Sequence, residues 1–139
     1  MPEGRLLFKV FVPGKVRRQD NGQQGSWRAK AGYRKAWQAR VKIHVLPHRH
    51  LKLEPTAPKT VRILANVFNL YDEDGLGAAL KPIPDALVKA GVIHSDKPFE
   101  KSGHLILRGQ RIDRSMEGVT IMVNEGVDEA IIQRRGRLT

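Results

Sequence analysis

Three acids in a row, Asp72, Glu73 and Asp74, follow the β-branched apolar run Val61 to Phe68. A small-residue stretch then leads to a lone lysine, Lys81, and a turn-rich segment delivers a further acid, Asp96. If the strand runs on to Asp74, Asp72 and Asp74 share a face and Glu73 points away, because residues two apart on a strand point the same way. Two ionised carboxylates held that close are relieved by a cation or by a shared proton. Ligands made only of oxygen suit magnesium or manganese. Asp96 can close such a site from the far end of an intervening helix, and Lys81 can add positive charge to it. Asp72, Asp74, Lys81 and Asp96 are therefore the candidate catalytic residues, with the three aspartates as metal ligands. The chemistry they suit is metal-assisted hydrolysis of a phosphodiester. The plain alternative is a solvated acidic turn.

The elements that must position these residues are legible along the chain. Arg5 to Val12 reads as a first strand, stopped by Pro13-Gly14. Residues 13–27 are polar and glycine-containing and read as a mobile basic loop, which offers Arg17 and Arg18 either to a phosphate backbone or to solvent. Ser26 can cap a following helix. From Lys30 to Val45 a helix sets Tyr33, Trp37, Val41 and Val45 in one apolar stripe, with Trp37 as a core anchor. Its other faces carry Lys30, Arg34, Lys35, Arg40 and Lys42. The β-branched run Val41 to Val45 is also compatible with a strand. His44, His48 and His50 hint at a metal site, but Pro47 disturbs any shared helical face.

A proline-containing loop enters a strand from Thr60 to Phe68. After the acids, Leu76, Leu80, Ile83, Leu87 and Ala90 form a second helical stripe, with Gly91 as its C-terminal cap. Pro82 and Pro84 break it, since an interior proline costs roughly 3 kcal/mol. The helix is either kinked there or restarts at Pro82. Lys81 and Asp85, four apart, can pair across a turn, which makes Asp85 a structural or supporting residue. His104 to Asp113 and Glu117 to Asn124 read as strands joined by RSMEG, a turn of hairpin length. Val127 to Gln133 reads as a last short helix and 134–139 as a frayed basic tail. Together these predict an α/β fold of the α+β type: one domain over 1–139, with a mixed sheet of about four strands packed against two main helices.

Composition narrows the partners. The chain has no cysteine, which excludes disulfides and thiolate zinc sites. It shows no apolar run of bilayer-spanning length and no signal peptide, so no membrane partner and a cytoplasmic setting are expected. The net charge is +11. Residues 1–62 hold 15 Lys/Arg against 3 Asp/Glu, a balance of +12, and residues 63–139 hold 10 against 11, a balance of −1. A basic half beside an acidic site suits a polyanion, above all nucleic acid bound through counterion release. Arg17, Arg18, Lys30, Arg34 and Lys35 are the candidate DNA contacts.

The stretch YDEDGLGAALKPIPDALVKAGVIHSD resembles the RusA-type Holliday junction resolvases. Asp72, Asp74, Leu76, Lys81, Pro82, Asp85, Ala86, Leu87, Gly91 and Asp96 stand at places that match the family pattern. Gly75 stands where the family usually has Asn, and Ser95 where the first of its closing acids often lies. The resemblance implies a homodimeric, Mg2+-dependent endonuclease (Mn2+ substituting), bacterial or phage-encoded, that resolves four-way DNA junctions by paired symmetric nicks. It implies Asp72, Asp74 and Asp96 as metal ligands and Lys81 as the catalytic lysine. Two other readings share the same residues: a basic nucleic-acid-binding module without catalysis, and a metal nuclease acting on flaps or RNA.

Overall fold

The computed structural model describes residues 3–17, 27–48 and 53–132. Strand β1 spans Leu6–Pro13, helix α1 Trp27–Val45, strand β2 Lys59–Val67, helices α2 and α3 Glu73–Leu80 and Pro82–Lys89, the short α4 Phe99–Ser102, and strands β3 and β4 Leu105–Ile112 and Gly118–Glu125. The four strands form one mixed sheet in the order β1-β4-β2-β3. This is the expected α+β architecture.

β2 takes a central place and is the most completely buried strand, enclosed along nearly its whole length. It runs antiparallel to β4 and parallel to β3. Its residues Val61, Ile63 and Ala65 lie opposite Val123, Ile121 and Val119 of β4, which in turn oppose Phe8, Val10 and Val12 of β1. Residues facing one another across a ladder share a sheet face, so this side is a continuous apolar layer. Helices α1 to α3 cover it with Trp37, Val41, Val45, Leu76, Leu80, Ile83 and Leu87.

The hairpin expected between the last two strands does not form. β3 and β4 flank β2 instead of pairing with each other. Asn66 organises the crossing: its Nδ2 donates to the Met116 carbonyl, its Oδ1 accepts from Arg111 Nε, and Asp113 N donates to the Val67 carbonyl. Inserting β2 between the two strands pairs both edges of the most buried strand. Where β4 begins, Gly118 lies so close to β1 that a Cβ would stand 2.5 Å from Phe11 Cζ and 2.6 Å from the Val12 carbonyl. Gly118→Ala is therefore expected to lower the unfolding free energy in urea by about 2 kcal/mol, the size of an overpacking defect. An unchanged midpoint would show that the β1–β4 pair can relax.

α1 matches the predicted stripe. Trp37, Val41 and Val45 are buried and Tyr33 packs against the core, which excludes the strand alternative for 41–45. The first residues of the stretch read as a mobile loop are held in place. Trp37 Nε1 donates to the Lys15 carbonyl at 3.1 Å, Tyr71 OH donates to the Val16 carbonyl at 2.9 Å, and Val16 is buried. The aromatic groups that anchor them come from distant parts of the chain, which is why the local polarity of the stretch misleads. Ser26, Arg18, His50, 134–139 and most of the loop lie outside the described residues. The second predicted helix is divided at Lys81, with Pro82 opening α3. Pro82 occupies a first-turn position, where its missing N–H has no partner to lose. Gly91 at φ +79° ends α3, with Gly91 N bonding to the Val88 carbonyl and Val92 N to the Leu87 carbonyl. Among the described residues no helix is long and apolar enough to cross a membrane.

Candidate functional site

The acidic run does not continue β2. That strand ends at Val67, and Tyr71 N is taken by Gln110 Oε1 at 2.9 Å as the chain leaves the sheet. Asp72 then caps α2, its Oδ1 accepting from Gly75 N at 2.7 Å, while Glu73 and Asp74 occupy the first helical turn. The shared strand face expected for Asp72 and Asp74 is therefore replaced by a helix N-terminus, where negative charge is favoured by the helix dipole and the unpaired amides. Gly75 has a local reason here. A Cβ at that position would stand 2.6 Å from Asp72 Oδ1, so glycine leaves room for the capping carboxylate.

Asp72 lines a cleft of about 460 Å³ with Arg17, Phe68, Asn69, Leu70, Tyr71 and Glu117. Arg17 is engaged in it, its Nη1 donating to Glu117 Oε2 at 2.9 Å, so its charge is partly spent within the protein. Asp96 lines a different cleft, of about 500 Å³, with Glu100, His104 and Arg108 among its walls. Among the described residues no three His, Cys, Asp or Glu side chains group closely enough to hold a metal ion. The trio Asp72, Asp74 and Asp96 is thus not assembled within one chain. The turn from sheet to helix at Asp72 and the return of the chain after α3 carry the two parts of the trio to separate clefts.

What the fold does bring together is Asp85 and Asp96, with the charges of Lys81 and Arg34 near enough to act on Asp85. The Asp85 and Asp96 carboxyls come within hydrogen-bonding reach. Partial burial, and then the neighbouring Asp96, hold the Asp85 carboxyl above the ordinary carboxylate range, while the charges of Lys81 and Arg34 pull it down. The packing of α1 on α3 delivers Arg34 to this point. Lys35 is exposed and Lys30 half-buried on the same helix, which carries no acid at all. Asp85, expected only to support the site, is the direct partner of Asp96. The four-residue spacing from Lys81 was the one available signal for it.

Of the predicted histidine group, the two described members are engaged separately. His44 Nδ1 lies 2.8 Å from the Arg40 carbonyl, and His48 stacks on Phe8 with ring centroids 5.1 Å apart. The pair that does meet is His94 and His104, which nothing in their spacing announced. Phe68, Leu70, Ile112 and Met116 are exposed around the end of β2, beside the Asp72 cleft.

Carboxylate oxygens of this kind fit magnesium. That ion commonly takes one or two protein carboxylates and completes its shell with water and substrate phosphate, so a preformed cage is not required. Comparison with protein-family models and with curated proteins finds no match for the chain.

Proposed function

We propose that the chain is a magnesium-dependent endonuclease of the junction-resolving kind. The observation that carries this reading is the Asp85–Asp96 carboxyl pair, within electrostatic reach of Lys81 and Arg34 and beside an acid-free basic helix. Asp96, Asp72 and Asp74 would hold the ion, manganese being an acceptable substitute. The ion would supply a water of lowered pKa and charge stabilisation at the phosphate. Lys81 neutralises charge on the scissile phosphate or its leaving oxygen. Lys30, Arg34 and Lys35, with Arg17, contact the DNA backbone, and Arg18 is assigned the same role from the sequence.

A four-way junction has approximate two-fold symmetry, and resolving it needs two opposed nicks. A homodimer meets that demand and can pool acids from two chains that one chain keeps in separate clefts. The exposed Phe68, Leu70, Ile112 and Met116 support such self-association next to Asp72. The corresponding setting is the cytoplasm of a bacterium, or a phage infecting one.

The test is digestion of a fixed four-way junction, a flap, a linear duplex and a single strand, with and without magnesium. Paired symmetric nicks in the junction, only with the metal, are expected. Junction affinity is expected to fall with salt at a log–log slope of about −0.9 per phosphate contacted. A second reading, a binding module without catalysis, is favoured by the capping role of Asp72. It predicts the same salt dependence with no magnesium-dependent cleavage of any substrate.

A further inference from the structure

Three segments distant in sequence converge just ahead of Asp96. His94 N donates to the Pro55 carbonyl at 3.0 Å, and His94 Nδ1 lies 3.1 Å from the same oxygen. His94 Nδ1 is also 2.9 Å from His104 Nε2, with the two rings edge to face. His104 is only 1% exposed, at the entrance to β3. Its backbone is held by Ser102, whose Oγ accepts from His104 N at 3.0 Å. Lys59, buried at the start of β2, donates from Nζ to the carbonyls of Glu54 and Ala57. It thereby shapes the turn that presents the Pro55 carbonyl.

This arrangement is poorly explained as packing alone. Among the described residues His104 Nδ1 is buried without a hydrogen-bond partner, and a lysine is buried nearby. An unmade bond of that kind carries a desolvation penalty that an apolar side chain would avoid. What the pair does achieve is anchorage. Between the end of α3 and the start of α4 the chain has no regular secondary structure, and Asp96 lies in that stretch. His94 is the point where it is tied both to the turn before β2 and to β3.

We propose that His94 and His104 form a clasp that positions Asp96, so that its carboxyl stays against Asp85 and ready to receive a cation. The inference rests on the nuclease reading above. His94 and His104 are positioning residues in it: neither touches the reacting atoms.

The experiment uses the full chain and three variants, His104→Leu, His104→Gln and His94→Ala. Leu removes the Nε2 contact, Gln offers an amide nitrogen near the same place, and His94→Ala removes the exposed partner without disturbing the buried one. Two quantities are read: amide exchange across 93–97, and the magnesium concentration that half-saturates junction nicking. In His104→Leu and His94→Ala, exchange at 93–97 is expected to rise about tenfold, the worth of one hydrogen bond. Half-saturating magnesium is expected to rise roughly ten- to a hundredfold, as when a group that orients a metal ligand is removed. His104→Gln should recover most of both, and combining Leu with His94→Ala should add little, since both break one contact.

Unchanged exchange in His94→Ala, which is at the surface and leaves the core intact, overturns the clasp. Faster exchange with unchanged magnesium dependence overturns its positioning role. If the parent chain nicks nothing, the nuclease reading falls and the role toward Asp96 falls with it. The exchange measurement still decides whether the two histidines hold the segment.

Discussion

Asp74→Asn is expected to lower magnesium-dependent nicking of a four-way junction roughly a thousandfold, about 4 kcal/mol of barrier, while junction binding persists or tightens. Asp74 lies exposed in the first turn of α2. Its contribution to the fold is limited to the favourable placement of a negative charge there, about 0.3–1 kcal/mol. A loss of activity several times larger therefore cannot be read as unfolding. Affinity should hold or rise because a negative charge is removed near phosphate. Asp72 needs a different substitution, because its carboxylate also caps the helix. Asn caps about as well as Asp, so Asp72→Asn isolates the charge, whereas Asp72→Ala adds a cap loss of about 1 kcal/mol. Single-turnover nicking and a binding titration on the same junction check both. An Asp74→Asn chain that cuts at the parent rate sinks the metal-site assignment, whatever its affinity.

Mild acid is expected to destabilise the fold by roughly 2–4 kcal/mol between pH 6.5 and about 4. The group responsible is His104. Burial, then the charge of Lys59, then His94, lower its pKa from 6.5 to about 4, with the Pro55 carbonyl pulling weakly the other way. The folded chain keeps the ring neutral where the unfolded chain protonates it, so the unfolded state binds more protons in that window. The stability this confers is fully present above pH 6.5 and is lost as pH falls toward the folded value. Asp85 works oppositely: its carboxyl is held above the usual range, so its burden on the fold is relieved as pH falls. Glu3, lowered by its hydrogen bond to Arg62, adds a loss only near the bottom of the window. Urea unfolding at stepped pH, on the parent and on His104→Leu, separates these terms. The parent curve should fall more steeply through pH 6 to 5, and parallel curves would remove His104 as the cause.

Local pattern along the chain sets the elements and their inward faces. Tyr33, Trp37, Val41 and Val45 recur at helical spacing, Val61, Ile63, Ala65 and Val67 alternate along one strand face, and Pro82 and Gly91 punctuate the backbone. Each is a local property of φ, ψ and side-chain period, readable before any partner is known. Lys81 at a helix break and an acid-free basic helix were legible for the same reason.

Tertiary structure alone decided which groups meet. RSMEG does not close a hairpin because strand pairing is a competition among all strands, and β3 and β4 both pair with β2, the most fully buried of the four. The shared strand face of Asp72 and Asp74 failed because Gln110, far along the chain, takes the Tyr71 backbone as it leaves the sheet and a helix starts at once. Asp85 beside Asp96, Arg34 near both, and His94 against His104 arise only when α1 packs on α3 and the chain returns to β3. Contacts of that kind depend on distances through space, which no spacing along the chain encodes.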